Sequence, residues 1–212
     1  MNNNTLTPLM QCLDVNLRDA STVDVTALHE TGHLIVMYAL DMMHYFKSIT
    51  ITAGTHTNEV TGAPDAVEAI TDVTSELAEQ MQRYATDLQS AGIPQSGLKI
   101  TELMRKTKLQ GAALYLPQIC RLFGGGSICR YYGLPDEGKC RIDNDFIVTL
   151  LTGLGMPGTI DTVRGLVDKY LESIFVSFEL LTKAIYKNLK QQGTLDKEQV
   201  MQIIAEWEQF SW

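Results

Sequence analysis

His29-Glu30-Thr31-Gly32-His33 is the stretch of this chain best able to do chemistry. It lies in Leu28-His29-Glu30-Thr31-Gly32-His33-Leu34-Ile35-Val36-Met37-Tyr38-Ala39-Leu40, which has the composition of a helix. Residues four apart on a helix stand one above the other on one face. Two imidazoles placed in this way can share one zinc ion, and Glu30 beside them can take a proton from a metal-bound water. Without a metal, the same residues would be two packed helix histidines and a surface charge.

The helix that carries them is expected over residues 22–43. Ser21-Thr22-Val23-Asp24 resembles a capping box, with Ser21 as the N-cap. Val25, Leu28, Leu34, Ile35, Val36 and Leu40 make most of its surface apolar, so it should be buried on most sides. Gly32 costs a helix interior roughly 1 kcal/mol relative to alanine. A glycine kept there predicts the close approach of another backbone or of a substrate.

Catalytic zinc takes three protein ligands and keeps one position open. The helix itself supplies only two. Val36 and Ala39 stand where an extended HExxHxxGxxH pattern needs Gly and His. Asp41 lies roughly 12 Å along the axis from His33 and His44 roughly 16 Å. The third ligand must therefore come from another element. His56, in a turn, is one candidate.

Around these residues the sequence predicts a mostly α-helical fold with a small β-hairpin or sheet beside the motif helix. Lys47-Ser48-Ile49-Thr50-Ile51-Thr52 alternates and is β-branched, as a strand should be. Residues 53–58 read as a turn and 59–62 as a return strand. Val67, Ile70, Val73, Leu77, Met81, Tyr84 and Leu88 recur at helical spacing, which predicts a long helix over 64–91. Another helix is expected over 99–123, ended by Gly124-Gly125-Gly126. A short helix should follow Asp143-Asn144-Asp145, then a long one over 159–191, then a last one capped by Thr194. Residues 1–20 read as an N-terminal arm and 21–212 as one domain.

The net charge of −8 argues against a nucleic-acid surface. The chain has no apolar run of spanning length and opens on a polar stretch, so no membrane segment is expected. Its four cysteines lack CxxC spacing, which fits a reducing, cytoplasmic setting. Gly133 to Cys140 nearly spells GxxxxGK, but Cys140 replaces the magnesium-holding Ser or Thr, and a plain turn is the better reading.

Three segments together resemble the protease domain of FtsH-type ATP-dependent zinc metalloproteases. They are the HETGH helix followed by Ser48-Ile49-Thr50-Ile51-Thr52, then Leu122-Phe123-Gly124-Gly125-Gly126 with Asn144-Asp145-Phe146, and finally Gly193-Thr194-Leu195-Asp196. The resemblance spans residues 22–53 and 109–152, and more loosely 160–205. It implies a zinc metalloendopeptidase with Glu30 as general base and His29, His33 and Asp145 as zinc ligands; Asp143, two residues from Asp145, competes for the third place. It also implies a polypeptide substrate. The strand at Ile49, Thr50, Ile51 and Thr52 could offer an edge along which an extended peptide pairs, or could simply cover the motif helix. The family's domain assembles as a ring, so a homo-oligomer is a further expectation. No ATPase module stands in this chain, so unfolded or flexible polypeptides are the expected substrates. Alternatives from other classes are a catalytically silent, zinc-stabilised binding or scaffold module and a zinc hydrolase of non-peptide amides.

Overall fold

In the computed structural model, residues 12–52, 54–57, 64–67, 69–77, 79, 110–135, 141–153 and 158–210 are described. The fold is mostly helical with a small antiparallel sheet. Helix α1 (Val25–Ala39) is its axis, and every residue from Ala27 to Met37 is buried. Its N-cap is Asp24 rather than Ser21. The Asp24 carboxylate accepts from the Ala27 amide at 3.1 Å, whereas the Ser21 hydroxyl is spent on Asp19 at 2.6 Å. The helix ends before residue 43 because Asp41 adopts a left-handed φ of 56°.

Strand β1 (Phe46–Thr50) follows a short 3-10 turn, Met43–Tyr45. Strands β2 (Gly54–Thr57) and β3 (Pro64–Val67) pair with each other, and β4 (Ile70–Val73) returns antiparallel to β1. A helix over 64–91 is therefore corrected at its start. Val67, Ile70 and Val73 have helical spacing, but they belong to strands. Thr71 and Val73 are buried while Ile70 and Asp72 are less so, the alternation of a strand packed on one face. Residues 80–91 and the return strand expected at 59–62 lie outside the described residues.

Helix α2 (Gln110–Tyr131) runs straight through the three glycines expected to end it. Their role is close approach. A Cβ on Gly32 would lie 2.5 Å from the Gly124 carbonyl oxygen, and one on Gly124 would lie 2.8 Å from that of Gly32. The two helices cross backbone to backbone there, as the glycine in the motif predicted. Alanine at Gly32 gains roughly 1 kcal/mol of helix propensity but forces apart two packed backbones, which costs roughly 1–3 kcal/mol. We expect Gly32→Ala to lower stability by about 1–2 kcal/mol in urea unfolding. An unchanged or raised midpoint would contradict the crossing.

Helix α3 (Arg141–Gly153) is followed by α4 (Ile160–Ser177) and α5 (Glu179–Gln192), which replace the single helix expected over 159–191. Phe178 breaks it; its ring packs 5.5 Å from Tyr38 and 5.3 Å from Trp207. Strand β5 (Thr194–Asp196) then pairs with β1, and α6 (Lys197–Phe210) closes the chain. Asp196 caps α6, not Thr194: its carboxylate accepts from the Gln199 amide, and its own amide donates to the Gln199 side chain, both at 2.9 Å.

The sheet order is β4-β1-β5, so β1 is the central strand. Ile49 pairs with Thr71 on one side and Leu195 on the other, and Thr50 with Ile70 and Thr194. The expectation that Ile49, Thr50, Ile51 and Thr52 offer a free edge is thereby overturned. Ile49 is fully buried, and the Ile51 amide is taken by the Gly193 carbonyl at 2.8 Å. Cys12 and Leu17 are buried in the core, which ties the segment before α1 to it at these two points. No helix among the described residues is long and apolar enough to cross a membrane.

Candidate metal centre

Helical spacing sets His29 and His33 on one face of α1, and α2 makes room for them. A Cβ on Gly125 would lie 2.5 Å from His29 Nε2, so only glycine leaves space for that ring. The Nε2 atoms of His29 and His33 stand 3.1 Å apart. Both face Asp143 Oδ2, at 3.1 Å from His29 and 3.3 Å from His33. Among the described residues, these three form a group able to hold a metal ion.

The geometry fits an ion closely. Four ligands about 2.0–2.1 Å from one tetrahedral centre stand roughly 3.3–3.4 Å from each other. Proton accounting agrees. His33 Nδ1 lies 2.7 Å from the Arg121 carbonyl oxygen, which can only accept. Nδ1 therefore carries the proton, and in the neutral ring Nε2 offers a lone pair. That lone pair faces a carboxylate oxygen, an arrangement that calls for a cation or a proton between them.

Asp145, the expected third ligand, is exposed and is not in this group. The reason is helix phase. Because α3 begins at Arg141, Asp143 shares a face with Ile147, Leu150 and Leu151, all buried. Two residues are about 200° of helix, so Asp145 points away, on the side of exposed Val148. His56 lies on β2, opposite Asp65. Of the turn expected over Gly133 to Cys140, residues 136–140 lie outside the described residues.

Glu30 is buried beside the imidazoles, with 6% of its surface exposed. Its Oε2 accepts a hydrogen bond from Thr71 Oγ1 at 2.8 Å. Thr71, the Arg121 carbonyl and Gly125 belong to the site but escaped sequence reasoning. Only Gly125 carried a signal, as one of three glycines inside what could have been a continuous helix. Tyr132 is buried and packs against Tyr131.

Burial pushes the Glu30 carboxyl up, and the fields of His33 and His29 only partly offset this. Burial works against the charged form of His33, but Asp143 more than compensates and raises it above its ordinary 6.5. Burial would also raise Asp143, yet His33 and hydrogen bonds from both imidazoles hold it well below the usual carboxylate range. In metal-free protein, the Asp143 contribution is whole above pH 3.8 and lost on further acidification. The Glu30 contribution is whole below 4.5 and the His33 contribution below 6.5, and both are lost as pH rises. The site thus favours the chelated protein most near pH 4. Bound metal reverses the slope, because its ligands must be deprotonated. We expect the stabilisation produced by zinc to be larger at pH 8 than at pH 5 in urea unfolding; an equal effect at both would argue against histidine ligands.

Comparison of the chain with protein-family models and with curated proteins, and of its fold with solved structures, gives no match.

Proposed function

We propose that this chain is a zinc-dependent peptidase whose site resembles that of FtsH-type protease domains. His29, His33 and Asp143 would hold the ion, and Glu30 would be the general base. The observation that carries this is the triangle of three ligand atoms at 3.1, 3.1 and 3.3 Å, two of them from a helix that also places a carboxylate beside them. Zinc, when bound, supplies a Lewis acid that lowers the pKa of water and polarises a carbonyl. Glu30 takes the proton of the attacking water and passes it to the leaving amine. Gly125 and the Arg121 carbonyl hold the two imidazoles in place. A substrate strand would lie along β4, whose side away from β1 has no partner strand among the described residues.

Such an edge accepts extended chain, so the proposal predicts cleavage of unfolded or flexible polypeptides, without ATP, and folded domains left intact. The test incubates zinc-loaded protein with a disordered substrate and a stable folded one, with ATP, without ATP and with chelator, and follows fragments by mass spectrometry. Cleavage of the disordered substrate that chelator abolishes supports the proposal. Zinc bound at one per chain with no cleavage of any peptide would replace it with the zinc-stabilised binding module. Cleavage confined to small non-peptide amides would make the chain a zinc amidohydrolase.

A further inference from the structure

We infer that Thr71 is a positioning residue that fixes which oxygen of Glu30 acts as the base; this rests on the peptidase reading above. Thr71 is on β4, and its side chain points with that of Val73 into the layer between sheet and α1. Positions in such a layer are normally apolar, as Val73 and Ile49 are. A buried hydroxyl there costs stability unless it is bonded. Thr71 is 7% exposed, and its hydroxyl finds two acceptors on one residue: Glu30 Oε2 at 2.8 Å and the Glu30 backbone oxygen at 3.3 Å.

The hydroxyl is held firmly. A β-branched side chain has few χ1 choices. Its backbone is paired to β1 at Ile49, and β1 is itself clamped by β5. A donor carried on a three-stranded sheet holds its target better than one on a loop. With Oε2 engaged, Oε1 is the oxygen left to receive the proton. A carboxylate free to rotate would spend part of its time turned from the water, so the cost of losing Thr71 falls on the chemical step.

The test compares Thr71→Val, which keeps shape and removes the donor, with Thr71→Ser, which keeps the donor. Each is loaded with zinc, and kcat and KM are measured on the same disordered peptide. Hydrogen bonds to charged groups predict a kcat lowered roughly 10-fold or more in Thr71→Val, with KM and zinc content unchanged. Thr71→Ser should stay within about threefold of the wild-type kcat, since it keeps the donor. Equal kcat for Thr71→Val and wild type overturns the inference and leaves the peptidase intact. Equal losses in both variants also overturn it, because the variant that keeps the donor would then do no better than the one that lacks it. A wild-type protein that binds zinc and cleaves nothing removes the peptidase reading, and this inference falls with it.

Discussion

Glu30→Gln is expected to leave zinc content unchanged and to lower hydrolysis by a factor of roughly 100 or more. Glutamine keeps the size of the side chain and can still accept from Thr71, so the fold around α1 should hold. It cannot take a proton. Burial already raises the carboxyl of Glu30, as suits a base that must pick up a proton and give it back. The same substitution removes a buried carboxylate and relieves its desolvation, so the variant should melt no lower than wild type. Activity and stability therefore separate. Steady-state kinetics with metal analysis and thermal unfolding on one preparation reads both. A variant that cleaves as fast as wild type would eliminate Glu30 as the base.

How far the sequence foretold this site depends on how local each feature is. The pairing of His29 and His33 follows from helical periodicity over one turn, and an apolar run around them was enough to place the helix. Gly32 told of a close approach by its cost alone, and only the crossing with α2 showed that a backbone makes it. The partner glycines in α2 were read as a stop, because glycine both ends helices and permits crossings, and only the other helix decides between them. Strand β4 was hidden by a coincidence of spacing. Val67, Ile70 and Val73 satisfy a helical repeat, while the β-branched Thr71 and Val73 satisfy a strand repeat, and pairing with β1 selected the second. With β4 read as helix, neither Thr71 nor the central place of β1 could be foreseen. The free edge was consequently expected at β1, which lies in the middle of the sheet.

The choice between the two aspartates turns on a single phase angle, and it gives the second large prediction. Asp143→Ala should weaken zinc binding more than 100-fold, whereas Asp145→Ala should change it little. Substitution of partners that merely orient a metal ligand costs about 10–100-fold, and loss of the ligand itself must exceed that. A 100-fold loss of affinity removes about 2.3 kcal/mol of zinc-linked stability when metal is saturating for wild type and near the variant's dissociation constant. Competition with a chelating dye and urea unfolding with and without zinc would measure the two quantities. Without zinc, Asp143→Ala should also lower the pKa of His33, because burial disfavours the imidazolium and Asp143 is the main group that opposes it. That titration is visible by NMR and does not depend on catalysis. If instead Asp145→Ala loses the metal and Asp143→Ala keeps it, then α3 is turned by half a revolution from the arrangement described, and the buried stripe of Ile147, Leu150 and Leu151 would have to face elsewhere. Because those three side chains are buried, that alternative leaves apolar surface in water. The phase that brings Asp143 to the imidazoles is therefore the one that the hydrophobic face of α3 enforces.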